Sequence, residues 1–241
     1  MTRLGQTGRR ALRLEDVPPR TPQWTLTLAA AALTLVAAAG CEGISVEDPS
    51  ATSSTAGSST TGGSTGNSKT ASAELAKLVV ATPGSMKGYS RDKFPTWRST
   101  GKNCDTRDSV LKRDGTKVKL SGCNVVGGSW KSAYDDKTLT APIQADIDHV
   151  VPLANAWRSG AAAWTTAKRE DFANDLDDPQ LVAVSASSNR SKGDQDPSTW
   201  KPPSTDDWCH YAESWIAVKT HWKLTTTSAE KSALADMLKR C

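Results

Sequence analysis

One stretch of this chain, Asp146-Ile147-Asp148-His149-Val150-Val151-Pro152-Leu153, carries residue types that could do acid–base and metal chemistry side by side. A neutral imidazole accepts a proton near physiological pH. Carboxylate and amide oxygens are hard donors, better suited to Mg2+ or Mn2+ than to a soft metal. A second cluster lies further along. Leu181-Val182-Ala183-Val184-Ser185 leads into Asn189-Arg190-Ser191-Lys192-Gly193. A proton acceptor beside hard oxygen donors is the equipment of metal-assisted hydrolysis.

The elements that must position these groups can be read around them. Gln144–Val151 reads as a strand, with Ala145 and Ile147 alternating against Asp146 and Asp148 until Pro152 interrupts. Neighbouring strand residues point to opposite faces, so Asp148 and His149 share one site only if the strand bends there. Leu181–Val184 reads as a second strand. Ser185 can cap a helix that ends at Gly193, with Lys192 in its last turn. Asn155–Ala173 reads as a helix broken at Gly160. Upstream lie a short helix over Glu74–Val80, an irregular aromatic segment over 88–101, and a helical turn over Asp105–Arg113. Strands at Lys117–Leu120 and Asn124–Val126 follow. Two helices close the chain, one over Asp206–Trp222 and one opened by a Thr227/Glu230 capping box. Trp208, Trp215 and Trp222 fall seven apart and read as a core stripe. His210 and His221, eleven apart, are too widely spaced for a metal pair and read as structural.

The first part of the chain has another purpose. Arg3, Arg9, Arg10, Arg13 and Arg20 precede an uncharged apolar run from Trp24 to Gly40, which ends Ala38-Ala39-Gly40-Cys41. This is the pattern of an export signal over residues 1–41. Its small-small-Cys ending resembles a bacterial lipoprotein signal, which implies lipidation of Cys41. Residues 42–72 form a flexible tether, since 16 of the 19 residues over 50–68 are Ser, Thr or Gly. The folded domain is expected over 73–241. With residues 1–41 set aside, 25 basic residues face 24 acidic ones, so any grip on phosphate must be local. Cys104, Cys123, Cys209 and Cys241 are an even number in an exported chain and read as two disulfides. Cys104 and Cys123 bracket one local unit, and Cys209 and Cys241 sit at adjoining ends of an antiparallel helix pair. The expected pairings are therefore Cys104–Cys123 and Cys209–Cys241.

The two clusters, in this order, resemble the HNH, or ββα-metal, nucleases: a D-H-[IV]-[IV]-P core, an apolar strand, then S-x-x-x-N-R-x-K-[GS]. The chain is most similar to the small secreted branch related to the C-terminal domain of GmrSD-type restriction endonucleases. Cys104-Asp105-Thr106-Arg107-Asp108 and the run from Ala186 to Pro197 add to the likeness, which covers roughly residues 85–241. The resemblance implies an α+β domain with a ββα-metal core, additional helices and two disulfides. It implies an endonuclease of DNA, with RNA a further substrate, leaving 5′-phosphates. His149 is then the general base, and Asp148 and Asn189 hold a divalent cation, Mg2+ or Mn2+. Arg107, Lys192 and Asp146 are candidates for phosphate contact or support. Blander roles stand beside these: an ion pair with Asp105 or Asp108 for Arg107, and a helix C-terminal charge for Lys192. Where the motif has its middle Asn this chain has Gln180, with Asn174 upstream. The expected protein is a monomer outside the cell, either anchored to the membrane through Cys41 or released. The competing reading is a non-catalytic surface or nucleic-acid-binding lipoprotein on a degenerate nuclease scaffold.

Overall fold

The computed structural model describes residues 63–241, with side chains from Ser68 onward. The expected signal, Cys41 and residues 42–62 of the expected tether lie outside these residues. The tether's last residues do not stay irregular. Helix α1 (Gly63–Lys77) begins ten residues before Ala73, because Ala71, Leu75 and Leu78 form an apolar stripe that buries against two later helices.

In chain order there follow β1 (Ser99–Gly101), β2 (Cys104–Asp105), α2 (Thr106–Asp114), β3 (Thr116–Ser121), β4 (Asn124–Lys131) and β5 (Thr138–Leu139). Then come β6 (Ala145–His149), α3 (Leu153–Arg158), α4 (Thr166–Ala173), β7 (Leu181–Ser185), α5 (Ala186–Lys192), α6 (Trp208–Trp222) and α7 (Ser228–Leu238). The strands form three small antiparallel groups, β1–β2, β3–β4–β5 and β6–β7, so the protein is α+β. Among the described residues no helix is long and apolar enough to cross a membrane.

β6 and β7 pair from Ala145 opposite Ser185 to His149 opposite Leu181. Alternation then divides the hairpin's two faces. Ala145, Ile147, Leu181 and Ala183 pack on Val110 and Leu111 of α2 and on Trp130 of β4. Val184 faces the larger core, which holds Phe172, Trp215, Ile216, Leu234 and Met237. Trp215 is fully buried, and Trp208 and Trp222 pack against the same core, so the seven-residue tryptophan spacing is indeed a packing stripe.

Local chemistry sets the element ends. Asp105 accepts from the Asp108 amide at 3.1 Å and Asp108 accepts from the Asp105 amide at 3.3 Å, a capping box that starts α2. The helix expected over 155–173 breaks at Gly160, whose φ of 130° is open to glycine, and resumes as α4. Thr227 and Glu230 cap α7 as expected. Glu230 also accepts from Trp215 Nε1 and pairs with Lys219 of α6, both at 2.6 Å, so a buried ion pair joins the two last helices. Both expected disulfides form, Cys104–Cys123 and Cys209–Cys241.

Candidate active site

A cleft of about 180 Å³ opens at the end of β6, lined by Asp148, His149 and Asn189 together with Tyr89, Arg91 and Asp194. The first three arrive from two stretches of the chain. Asp148 and His149 occupy the last two positions of β6, just before Pro152 turns the chain into α3. Asn189 stands in α5, which Ser185 starts by accepting from the Ser188 amide at 3.2 Å. Gly193, at φ 54°, ends it.

His149 is 5% exposed and lies stacked on Trp97, with ring centroids 5.9 Å apart and planes 17° apart. Its Nε2 is 3.0 Å from the carbonyl oxygen of Ala173. A carbonyl only accepts, so Nε2 carries the proton and Nδ1 keeps its lone pair. Burial pushes the imidazole down to about 3, against the Ala173 carbonyl and helped by the charges of Arg91 and Lys192. The ring is therefore neutral at physiological pH.

Asp148 lies on the other face of the strand and is buried. Tyr134 donates to its Oδ2 at 2.7 Å, and Lys192 Nζ sits 3.0 Å from Oδ1 and 2.8 Å from Oδ2. Burial raises the carboxyl and lowers the ammonium, and each charge opposes the other's loss. Lys192 also donates to the His149 carbonyl at 2.9 Å. It is fully buried, so the phosphate contact considered for it gives way to support of the strand end. Arg107 forms no pair with Asp105 or Asp108, which are occupied by the capping box. It donates instead to the carbonyls of Pro142 and Ala145, at 3.0 and 2.8 Å, and fixes the start of β6. Asp146 accepts from the Asn189 amide at 3.1 Å. That leaves the amide oxygen of Asn189 without a hydrogen bond among the described residues.

The donor set suits a hard cation. Asp148 Oδ2 is occupied by Lys192 and Tyr134, whereas Oδ1 accepts only from Lys192 and retains a lone pair. Asp148 and Asn189 line the same cleft. Two protein oxygens with water and phosphate completing the shell fit a hard divalent cation. Among the described residues, the grouping of three His, Cys, Asp or Glu ligand atoms is Cys209, Glu213 and Cys241. Its two sulfurs are bonded to each other, so it offers no metal centre.

The two candidates for the middle Asn divide the work. Gln180 is fully buried and clasps the residue two beyond His149: its Nε2 donates to the Val151 carbonyl at 2.9 Å and its Oε1 accepts from the Val151 amide at 3.1 Å. Asn174 instead holds the segment bearing Trp97. It donates to Pro95 O and accepts from the Arg98 amide, each at 2.8 Å. Gln180→Ala strands two buried backbone groups. It is expected to lower stability by about 2–4 kcal/mol in urea unfolding, and a loss below about 1 kcal/mol would show that Val151 finds other partners.

Arg91 was not singled out from sequence, and no motif marks it. It stands exposed in the cleft, its charge reaches both Asp148 and His149, and its side chain has no ion pair among the described residues.

Comparison with known proteins bears on this geometry. The model of a family described as GmrSD restriction endonucleases, C-terminal domain, matches residues 105–237. An uncharacterized secreted protein of Arthroderma benhamiae is 55% identical over 168 residues, covering 69% of this chain and 82% of that protein. No solved structure matches.

Proposed function

The chain belongs to the family of GmrSD restriction endonuclease C-terminal domains, and on that footing we propose that it is an exported, metal-dependent endonuclease with a ββα-metal core of β6, β7 and α5. The observation that carries this reading is the meeting of Asp148, His149 and Asn189, from separate stretches of sequence, on one cleft. Two disulfides and a secreted relative support a place outside the producing cell. Anchoring through a lipid on Cys41 and action as a monomer complete the proposal.

In this reading His149 is the general base. The Ala173 carbonyl fixes its tautomer, so Nδ1 takes the proton of the attacking water. Asp148 and Asn189 hold a divalent cation, Mg2+ or Mn2+, which neutralises charge at phosphorus and on the leaving oxygen when bound. Lys192 and Tyr134 keep the Asp148 carboxylate oriented, and Asp146 holds the Asn189 side-chain NH2, which leaves the amide oxygen for the cation. Arg91 takes a phosphate oxygen of the nucleic acid, most simply DNA.

Plasmid digestion by the full chain tests the proposal. Cleavage in Mg2+ or Mn2+ that stops with EDTA is the expected result. Intact plasmid under every metal condition, or nucleic-acid binding without cleavage, would favour the non-catalytic scaffold. Arg91→Ala should raise KM roughly tenfold, the loss of one charge-assisted contact, with kcat changed much less. An unchanged KM would take Arg91 out of substrate binding.

A further inference from the structure

One hydrogen bond holds the His149 imidazole, from Nε2 to the Ala173 carbonyl at 3.0 Å. A single bond fixes a point and not a plane. The torsion that turns a histidine ring is broad, so the ring could still tilt or turn over and leave that carbonyl. Trp97 supplies the plane. Its ring lies 17° from parallel with the imidazole, with centroids 5.9 Å apart.

Trp97 adopts an uncommon backbone to stand there. Its φ is 21°, in the positive range that bulky residues rarely enter. Strain of this kind persists only where the surroundings over-determine it, and it gathers at functional sites. The surroundings here do so from both sides. Asn174 donates to the Pro95 carbonyl and accepts from the Arg98 amide, each at 2.8 Å, and so brackets the tryptophan. Arg98 pairs with Glu170 at 3.0 Å and Asp171 at 2.6 Å, and its carbonyl accepts from the Thr106 amide at 3.0 Å. The indole also packs against the cluster that holds Val110 and Ile147. Glu170, Asp171 and Ala173 belong to α4, and Asn174 ends it. One helix end therefore sets both contacts of the imidazole, Ala173 through its carbonyl and Asn174 through Trp97.

We propose that Trp97 is a positioning residue for the His149 base: its ring holds the imidazole in one plane and one tautomer, with Nδ1 unprotonated, and Asn174 acts on His149 through it. The proposal rests on the nuclease reading for its effect on rate, while the order of the ring is measurable without any cleavage.

Nitrogen NMR of the full chain, labelled at histidine and free of metal at neutral pH, reads that order. The spectrum of His149→Gln identifies the His149 signals among the chain's three histidines. The native ring should show one tautomer, with its protonated and lone-pair nitrogens well separated. Trp97→Met keeps apolar volume but removes the flat face. It should draw the two signals toward a common average and lower kcat for plasmid cleavage by roughly tenfold to a hundredfold, with KM and Mn2+ affinity within a few-fold of native. Trp97→Phe restores a flat ring and should recover most of both. Asn174→Ala leaves Trp97 in place and frees its segment, so it should show the same changes in smaller measure. It decides the matter if Trp97→Met folds poorly, as judged by circular dichroism. A single His149 tautomer in folded Trp97→Met overturns the proposal, whether or not cleavage falls. So does native kcat in that variant. If the native chain cuts nothing, the nuclease reading falls, and the nitrogen signals still decide whether Trp97 holds the ring.

Discussion

His149→Ala is expected to lower plasmid cleavage by about a thousand-fold, the middle of the range for a positioned general base. The argument rests on where the ring sits. Its Nε2 is committed to the Ala173 carbonyl, its face lies on Trp97, and burial keeps it neutral. No other histidine can substitute, since His210 and His221 pair with Asp207 and Asp178 on the surface. The variant retains Asp148 and Asn189, so Mn2+ affinity measured by calorimetry should stay within a few-fold. Free imidazole should restore part of the activity, because alanine leaves a ring-sized space beside Trp97. His149→Gln, which fills that space, should be as inactive but not rescued. Near-normal cleavage by a folded His149→Ala protein would remove the imidazole from the mechanism and with it the proposed reaction.

The second large effect concerns Lys192. Lys192→Met removes a fully buried cation and leaves the Asp148 carboxylate buried with only Tyr134 as partner. Breaking such a pair from one side costs about 3–5 kcal/mol, because the remaining charge stays desolvated and uncompensated. The His149 carbonyl loses its donor as well. Urea unfolding in EDTA should show this loss, and Lys192→Met/Asp148→Asn should recover much of it. If Asp148 holds the divalent cation, Mn2+ should stabilise the single variant more than the native protein, as one cation stands in for another. A Lys192→Met protein as stable as the native one in EDTA would mean that the carboxylate is already neutral there.

Much of this arrangement was legible in the sequence. The strand carrying Asp148 and His149, the Ser185 cap, the break at Gly160 and the capping box of α7 depend on neighbours a few residues apart, so spacing reveals them. The disulfide pairings followed from which element ends must adjoin. Other roles depended on distant contacts. Lys192 read as a helix C-terminal charge or a phosphate contact, but it lies fully buried on Asp148, with the ring of Trp215 of α6 6.0 Å from its Nζ. Arg107 read equally as a phosphate contact or as a partner of the flanking acids, which the α2 cap engages. Arg91 and the Ala173 carbonyl carry no pattern at all. An arginine in an aromatic segment and a main-chain oxygen acquire meaning only when β6 is laid beside them.

The hairpin itself has a kinetic consequence. Its strands end and begin at His149 and Leu181, which face each other across residues 150–180 rather than across a tight turn. Joining ends so far apart costs about 2 kcal/mol more chain entropy than closing a four-residue loop. Pairing of this kind is slow and waits for the intervening helices to pack. Asn189, on the helix that follows β7, reaches the His149 cleft only when that pairing is made, so an incompletely folded chain has no assembled centre. On the proposed activity, the producing cell's own nucleic acid is spared until folding is complete.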